Sequence, residues 1–306
     1  MPSSLSNIPV CWAEGSLDGD KRSRYADAGL LNETFDALGC FTHYTPFSDM
    51  PVGTTGAVVV VHGGNMLGRA AQVLSDLNTL KWSLVIVICD DEASFNTRLL
   101  MAPTRKIWQQ MPIPHHHDFT DRRIICGYPG DAPQHLARFD QRSVDRPLNW
   151  FFSGQVNHSR RYQCAEQLEK RTDGLLIKTP GFWQGLSRPE YYEKMSQAKI
   201  IPCPAGPVTP DTIRMAEALE AGCVPLIDDK PGSRAFPAGF WPYVLGENPP
   251  FPIVSDWSQL PQIIDEQLAQ WPANRDRCLD WWLRYKKSWQ DNMRADIEEL
   301  KTKCEL

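Results

Sequence analysis

Arg214 and Glu217 lie three residues apart at the start of a predicted helix, where their side chains could hold a phosphorylated sugar. A guanidinium is a planar fork of N–H donors that can grip a diphosphate through two parallel hydrogen bonds. A carboxylate only accepts hydrogen bonds, so Glu217 would suit the hydroxyls of a ribose or a sugar. The same spacing also describes an i,i+3 ion pair on an exposed helix face, worth about 0.2–0.5 kcal/mol. Spacing alone leaves both interpretations open.

The surrounding segment, residues 199–227, predicts the elements that would position this pair. An apolar strand leads into a loop rich in proline and glycine, in which Gly206 would let a ligand approach the backbone closely. Asp211 as the N-cap, with Thr212 beside it, then begins the helix, and Gly222 ends it before a second strand. The helix N-terminus offers free N–H groups and about half a positive charge, which favours a phosphate. The segment therefore indicates an anion site beside a sheet.

The order of residue types in this segment resembles the signature of the exostosin family of glycosyltransferases. The matching positions are Tyr192, Glu193, Met195, Ala198, Lys199, Pro204, Gly206, Thr212, Arg214, Glu217, Ala218, Gly222, Cys223 and Pro225. A second family element, an aromatic strand that ends in glycine and is followed by arginine, is matched by Trp150, Phe151, Phe152, Gly154, Arg160 and Arg161. The resemblance covers about Asn149 to Trp257 and implies a transferase that uses a nucleotide-diphosphate sugar.

A donor site is expected in this half of the chain. Its expected members are Arg214, Glu217, Thr212, Asp211, Gly206, Arg160, Arg161 and Gly154. Arg160 and Arg161 could instead be an exposed pair of arginines. The aromatic residues Trp183, Tyr191 and Tyr192 could line a nucleobase pocket or pack in the core.

The first half of the chain carries polar residues where predicted strands end. Ligands bind outside the carboxyl ends of parallel strands, and this rule selects Glu14, His62, Asp90 and Asp91. An inverting transferase needs a base that takes the proton from the acceptor hydroxyl, and we favour Asp91 for this role. The alternative for each residue is a solvated loop or a helix cap.

No metal is expected at the site. The run from Asp90 to Glu92 invites comparison with the Asp-x-Asp metal motif of the other major transferase fold, which the rest of the chain does not suggest. Three adjacent histidines at 115–117 cannot all face one ion with ease. The expected co-substrate is therefore a nucleotide-diphosphate sugar, with no further cofactor.

The alternation of apolar strands with helical periods predicts an α/β protein with parallel sheets. We expect two Rossmann-like, doubly wound domains that face each other across a cleft, the GT-B architecture, with a C-terminal helix over residues 274–306 that crosses back onto the first domain. Residues 1–145 would form the acceptor domain and residues 146–306 the donor domain, with 130–147 as the linker.

Composition describes an ordinary soluble globular protein: 42% of the 306 residues are hydrophobic and 23% charged. A net charge of −5 argues against broad attraction to nucleic acid or to anionic membranes. The nine cysteines show no C-x-x-C spacing, which favours reduced thiols. The sequence has neither a signal-peptide pattern at its N-terminus nor a long apolar run, so a bacterial or viral protein of the cytoplasm is expected.

The sequence thus predicts a glycosyltransferase that moves a sugar to an acceptor hydroxyl, on a glycan, a lipid-linked sugar or a modified base in phage DNA. The alternative from another class is a catalytically silent protein that binds nucleotides or carbohydrates on the same scaffold. The donor sugar, the stereochemical outcome and the oligomeric state do not follow from the residues.

Overall fold

The computed structural model describes residues 8–12, 28–43, 56–62, 83–89, 105–112, 121–181, 184–231, 239–246 and 248–304. The chain forms two compact units. Unit 1 combines Met1–Cys126 with Tyr285–Leu306, and unit 2 is Gly127–Arg284. The stretch 130–147, expected as a linker, instead belongs to unit 2. It contains a short helix, and Arg146 is buried there. Its guanidinium donates to the carbonyl oxygens of Ala198 and Ala221, which offsets the cost of burying the charge.

Unit 1 contains a six-stranded sheet in which every neighbouring pair of strands is parallel. Among the described residues its elements are β1 (Pro9–Trp12), α1 (Ala28–Leu38), β2 (Phe41–His43), β3 (Gly56–His62), β4 (Ser83–Cys89), β5 (Arg105–Gln110) and β6 (Arg122–Ile124). The order across the sheet is β2-β1-β3-β4-β5-β6. Strands β3 and β4 lie in the middle, and their apolar runs are buried as a parallel sheet covered on both faces requires.

Two strands of unit 1 are not predicted from the sequence. β5 reads Arg-Lys-Ile-Trp-Gln-Gln, a polar composition that does not resemble a buried strand. Yet Gln109 and Gln110 are only 2% and 1% exposed, since the strand lies between β4 and β6. The buried amide of Gln110 donates from Nε2 to the carbonyl of Cys126 at 3.2 Å. β2 is three residues long and gives no periodic signal.

Unit 2 contains a five-stranded sheet, again parallel throughout, in the order β11-β10-β9-β7-β8. Its elements are α2 (Ala132–Leu136), β7 (Leu148–Gln155), α3 (Ser159–Leu168), β8 (Leu175–Thr179), α4 (Arg188–Ser196), β9 (Ala198–Cys203), α5 (Ile213–Glu220), β10 (Val224–Asp228), α6 (Phe240–Leu245), β11 (Ile253–Val254), a 3-10 turn (Trp257–Gln259) and α7 (Leu260–Ala269).

The segment that carries the motif folds as expected, with one correction at the helix start. β9, α5 and β10 follow one another, and α5 ends where Gly222 adopts a φ of +67°. The N-cap of α5 is Thr212, one residue after the expected Asp211. A Cβ at position 222 would lie 2.3 Å from the carbonyl oxygen of Gln141, so only glycine fits there.

The last helix, α8 (Ala273–Cys304), has its first part in unit 2 and its remainder in unit 1. In unit 2, Trp282 donates from Nε1 to the Oε2 atom of Glu220 at 2.7 Å. In unit 1, Asp296 accepts from the Trp108 indole at 2.9 Å and from Arg122 at 3.3 Å. The α/β class with two parallel sheets is confirmed, whereas the GT-B arrangement of the two units stays a prediction.

Candidate functional site

The carboxyl edge of the sheet in unit 2 contains the point where the strand order reverses. From β7 the chain passes through α3 to β8 on one side, and it then returns through α4 to β9 on the other side of β7. The loops that leave β7 and β9 therefore start from adjacent strands and lead in different directions. In open parallel sheets this position forms the ligand crevice.

Arg214 connects α5, the helix that follows β9, to β7. It lies in the first turn of α5 and is 9% exposed, and its Nη2 atom donates to the carbonyl oxygen of Ser153 on β7 at 3.0 Å. The guanidinium carbon lies 4.7 Å from the ring centre of Phe152, close enough for a cation–π contact. The arginine is therefore not paired with Glu217 on the surface, which was the alternative interpretation of their spacing.

Gly154 explains how the guanidinium comes so close to β7. A Cβ at this position would lie 2.5 Å from the Nη2 atom of Arg214. Side-chain carbons do not approach other heavy atoms that closely, so any other residue here would displace the arginine. The glycine at the end of the aromatic strand thus has a steric role in holding Arg214.

Three buried hydrogen-bond donors without partners lie in the loop between β9 and α5 or in the first turn of α5. Among the residues that the structure describes, the buried hydroxyls of Thr209 and Thr212 and the Nε atom of Arg214 have no hydrogen-bond partner. Thr209 is 2% exposed, so its hydroxyl is shielded from water. Buried polar atoms are almost always satisfied in folded proteins, and each exception calls for an explanation. All three atoms can donate, and an anion with several oxygens would satisfy them.

Glu217 is surrounded by tyrosines from the preceding helix. The Tyr191 hydroxyl donates to Oε2 at 2.9 Å and the Tyr192 hydroxyl donates to Oε1 at 2.8 Å. Glu217 is 3% exposed, and this burial raises the pKa of its carboxyl. The two tyrosine hydroxyls and Arg214 lower that pKa, but burial is the larger effect. A carboxylate has about four acceptor positions, so the tyrosines leave part of its capacity open.

Arg160 is held by Asp228 at the end of β10. Its Nε atom lies 3.0 Å from both carboxylate oxygens, and its Nη2 atom lies 2.5 Å from Oδ1. Asp228 is fully buried and also accepts from the backbone N–H of Ala205 at 3.2 Å and from the Trp257 indole at 2.8 Å. The alternative of an exposed arginine pair is therefore excluded for Arg160, whose bidentate pair with Asp228 connects α3 to β10.

Arg161 connects the two loops at the strand reversal. Its Nε atom donates to the carbonyl of Ala205 at 3.1 Å, and its Nη1 atom lies 3.4 Å from the carbonyl of Gln155. Arg161 is 8% exposed, so it too is a buried group. Gly206 and Asp211, the other expected members of the site, are buried in the same loop.

Several expected site residues lie outside the part of the chain that the structure describes. Glu14, Asp90, Asp91 and Trp183, like the histidines at 115–117, are outside the described residues. His62 is the last residue of β3, and its side chain is not described. The expected base in the first half of the chain therefore stays a prediction.

Sequence reasoning missed three residues at this edge. Asp228 follows an apolar strand, which is the same signal that selected Asp90 and Asp91 in the first half. Thr209 and His158 belong to no recognisable sequence motif. Only the tertiary structure, which places them beside the strand reversal, indicates a functional role. Within the described part of the chain, no cluster of three or more metal-ligating side chains occurs. No helix there is both long and apolar enough to cross a membrane.

A family model described as the RXYLT1 C-terminal domain matches residues 142–300, slightly more than half of the chain. The chain belongs to this family. The RXYLT1 C-terminal domain is a relative of the exostosin-like glycosyltransferases, so the resemblance is confirmed at that level. The matched region contains all of the strands of unit 2 and the candidate site.

Two individual proteins that the chain resembles share less than a third of their aligned residues with it. Ribitol-5-phosphate xylosyltransferase 1 of Danio rerio is 27% identical over 117 residues, which are 36% of this chain and 27% of that protein. The chain thus matches about a quarter of the length of this relative. A crystal structure of an α1,3-fucosyltransferase has a TM-score of 0.38 and 14% identity, over 93% of this chain and 90% of that one. At that score the likeness carries no conclusion about the arrangement of the two units.

Proposed function

We propose that the protein is a glycosyltransferase that moves a sugar from a nucleotide-diphosphate sugar to an acceptor hydroxyl, with the donor bound at the carboxyl edge of the sheet in unit 2. Family membership supports the reaction class. The observation that carries the donor assignment is the set of buried donors without partners, Thr209, Thr212 and the Nε atom of Arg214, at the strand reversal.

Arg214 would neutralise the charge that develops on the leaving diphosphate. A fixed guanidinium in a buried position can supply this stabilisation, and we therefore propose that the reaction needs no metal and no cofactor besides the co-substrate. Glu217 would accept hydrogen bonds from donor hydroxyls with the acceptor positions that its tyrosines leave open.

The remaining members of the proposed donor site line the same two loops. Thr212, Asp211 and Gly206 lie between β9 and α5, and Gly154 leaves space for Arg214. Arg160 and Arg161 already bind Asp228 and backbone carbonyls, so their charge would act on the diphosphate while their side chains hold the loops.

Acceptor binding is proposed for residues 1–145, with Asp91 as the base and Asp90, Glu14 and His62 as the other candidates. The acceptor would be a glycan, a lipid-linked sugar or a modified DNA base, and the setting the cytoplasm. The name of the Danio rerio relative adds a pentosyl donor and a polyol-phosphate acceptor to the first reactions to test.

The experiment compares two buried arginines of unit 2. Arg214→Lys keeps the charge but loses the fork, and Arg146→Lys is a control at the amino end of β9, where the guanidinium binds the backbone carbonyl of Ala198. Thermal shift with a panel of nucleotide sugars, UDP-xylose among them, measures donor binding, and product formation measures transfer. We expect Arg214→Lys to reduce transfer at least tenfold and to bind the donor more weakly, because bidentate contact is lost.

Arg146→Lys should lower the midpoint of unfolding and leave the donor affinity of the folded protein unchanged. Normal transfer by Arg214→Lys would overturn the donor assignment. Binding of nucleotide sugars without transfer to any acceptor would favour the catalytically silent alternative.

A further inference from the structure

His158 stands at the end of the loop that leaves β7, immediately before helix α3. It is the N-cap residue of α3, but its side chain makes no capping hydrogen bond. The side chain is half-buried, and among the described residues neither ring nitrogen has a hydrogen-bond partner. The backbone of Ala205 lies near the ring, but neither nitrogen forms a hydrogen bond of normal geometry with it. Such an imidazole, shielded from water, calls for an explanation in a folded protein.

Charged groups from two elements face this ring. Arg160 and Arg161 on α3 contribute positive charge, and Asp228 on β10 contributes negative charge. Burial and then Arg161 lower the pKa of the His158 imidazole, whereas the nearby backbone of Ala205 and Asp228 raise it. The lowered pKa favours the neutral ring, and an anion that arrived beside it would favour the charged form.

The neighbouring loop provides an independent indication of such an anion. His158 lies at the carboxyl end of β7, and Thr209, Thr212 and Arg214 follow the adjacent strand β9. Thr209 and Arg214 are more than nine-tenths buried, and each has a donor without a partner among the described residues. Arg161 holds the two loops together through the carbonyls of Gln155 and Ala205. Both sides of the strand reversal thus offer donors that a bound anion would satisfy.

We propose that the imidazole of His158 binds the diphosphate of the sugar nucleotide and takes up a proton when that ligand binds. This inference rests on the proposed function. The negative charge of the diphosphate raises the pKa of a neighbouring imidazole, since an opposite charge favours the charged form. The pKa of His158 is then higher in the complex than in the free protein. As the pH falls through the range between these two values, affinity for the donor increases by up to about tenfold per pH unit.

The experiment measures protons taken up on binding. Titration calorimetry of the full chain at pH 7, in buffers that differ in ionisation enthalpy, gives the number of protons exchanged per ligand. The probes are UDP-xylose, UDP-glucose, UDP-N-acetylglucosamine and GDP-mannose. Their diphosphates are esterified at both ends and do not titrate near neutrality, so any proton taken up from the buffer is bound by the protein.

His158→Asn is the test variant because asparagine is a favourable N-cap residue and the helix start is retained. His135→Gln on α2 is the matched control, a second histidine of unit 2 whose pKa burial also lowers. We expect uptake of up to one proton by the wild type and by His135→Gln. His158→Asn should lose that uptake, bind the probe about 5- to 30-fold more weakly and show a flatter pH dependence between pH 6 and 8.

Two results would overturn the inference alone: binding by the wild type without proton uptake, or undiminished uptake by His158→Asn. If none of the four probes binds to the wild type, the proposed function fails and the inference fails with it. Loss of binding by His158→Asn together with loss of cooperative unfolding would assign the residue a structural role and would also overturn the inference.

Discussion

At the scale of single residues, the candidate site depends on how closely Arg214 approaches the backbone of β7. Its guanidinium lies over the ring of Phe152 and donates to the carbonyl of Ser153, and Gly154 leaves the space that this requires. The sequence predicts an arginine at a helix start, but its bond to a strand 61 residues away follows only from the tertiary structure. The functional group and its steric support are therefore separate residues on separate elements.

Substitution of Gly154 by alanine tests this steric support. The new Cβ would displace the Nη2 atom of Arg214, which is the end of a flexible side chain, so the fold should lose only about 1 kcal/mol. Donor affinity should fall about tenfold or more because the guanidinium is displaced. Chemical denaturation and calorimetric titration with a nucleotide sugar measure the two effects.

Gly174→Ala is the comparison for this variant. A Cβ there would lie 2.3 Å from the indole of Trp150, a large buried ring that cannot move easily. We expect a large loss of stability with unchanged affinity per folded molecule. If Gly154→Ala binds the donor as tightly as the wild type does, the position of Arg214 does not matter for binding.

At the scale of elements, helix α4 reaches the candidate site through its two tyrosines. Tyr191 and Tyr192 donate to opposite oxygens of Glu217 and so fix the carboxylate of α5. Arg188 extends this network, since its Nη2 atom donates to the Tyr192 hydroxyl at 3.3 Å and pairs with Asp131. The sequence suggested aromatic residues near the nucleobase. Their bonds to Glu217 could not be anticipated, because which helix packs against α5 depends on the order of the strands.

Glu217→Gln should change how stability depends on pH. Burial raises the pKa of Glu217 above its ordinary value of 4.5, so the native state holds this proton to higher pH than the unfolded chain does. Between the pKa of the unfolded chain and the higher pKa of the native state, the native state binds more protons. The free energy of unfolding of the wild type therefore falls as the pH rises through this range. The variant has no proton to lose and should not show this decrease.

Urea denaturation from pH 4 to pH 7 provides the measurement. Glu193→Gln on the exposed side of α4 is the control and should follow the wild type across the range. Parallel curves for the wild type and Glu217→Gln would show that Glu217 titrates alike in the folded and unfolded states.

At the scale of the whole molecule, α8 belongs to both compact units. Its last part is fixed in unit 1 by Asp296, which is 3% exposed and accepts from Trp108 and Arg122. Trp108 also packs edge-on against Trp289 of the same helix, with ring centres 5.9 Å apart. The stability of the sheet in unit 1 should therefore depend on the end of the chain.

Asp296→Asn should weaken unit 1 selectively. The asparagine keeps the shape but loses the charge that binds Arg122, and we expect a loss of about 1–3 kcal/mol. Hydrogen exchange should become faster in β5 and β6, while β7 and β9 stay as protected as in the wild type. Asp291→Asn, at an exposed position on the same helix that pairs with Lys287, should change stability by less than about 1 kcal/mol. Equal loss of protection in both units would show that they unfold together.

The sequence by itself determined the class of the fold, the succession of most elements in unit 2 and the residue types at the motif. These features follow from local rules, since apolar runs, helix caps and glycine stops act on neighbours along the chain. The tertiary structure decided which of these residues meet. Arg160 pairs with Asp228 across 68 residues, and Arg214 meets β7, because β9 lies beside β7 in a sheet whose order reverses there. Strand order depends on contacts between distant segments, which residue spacing along the chain does not encode.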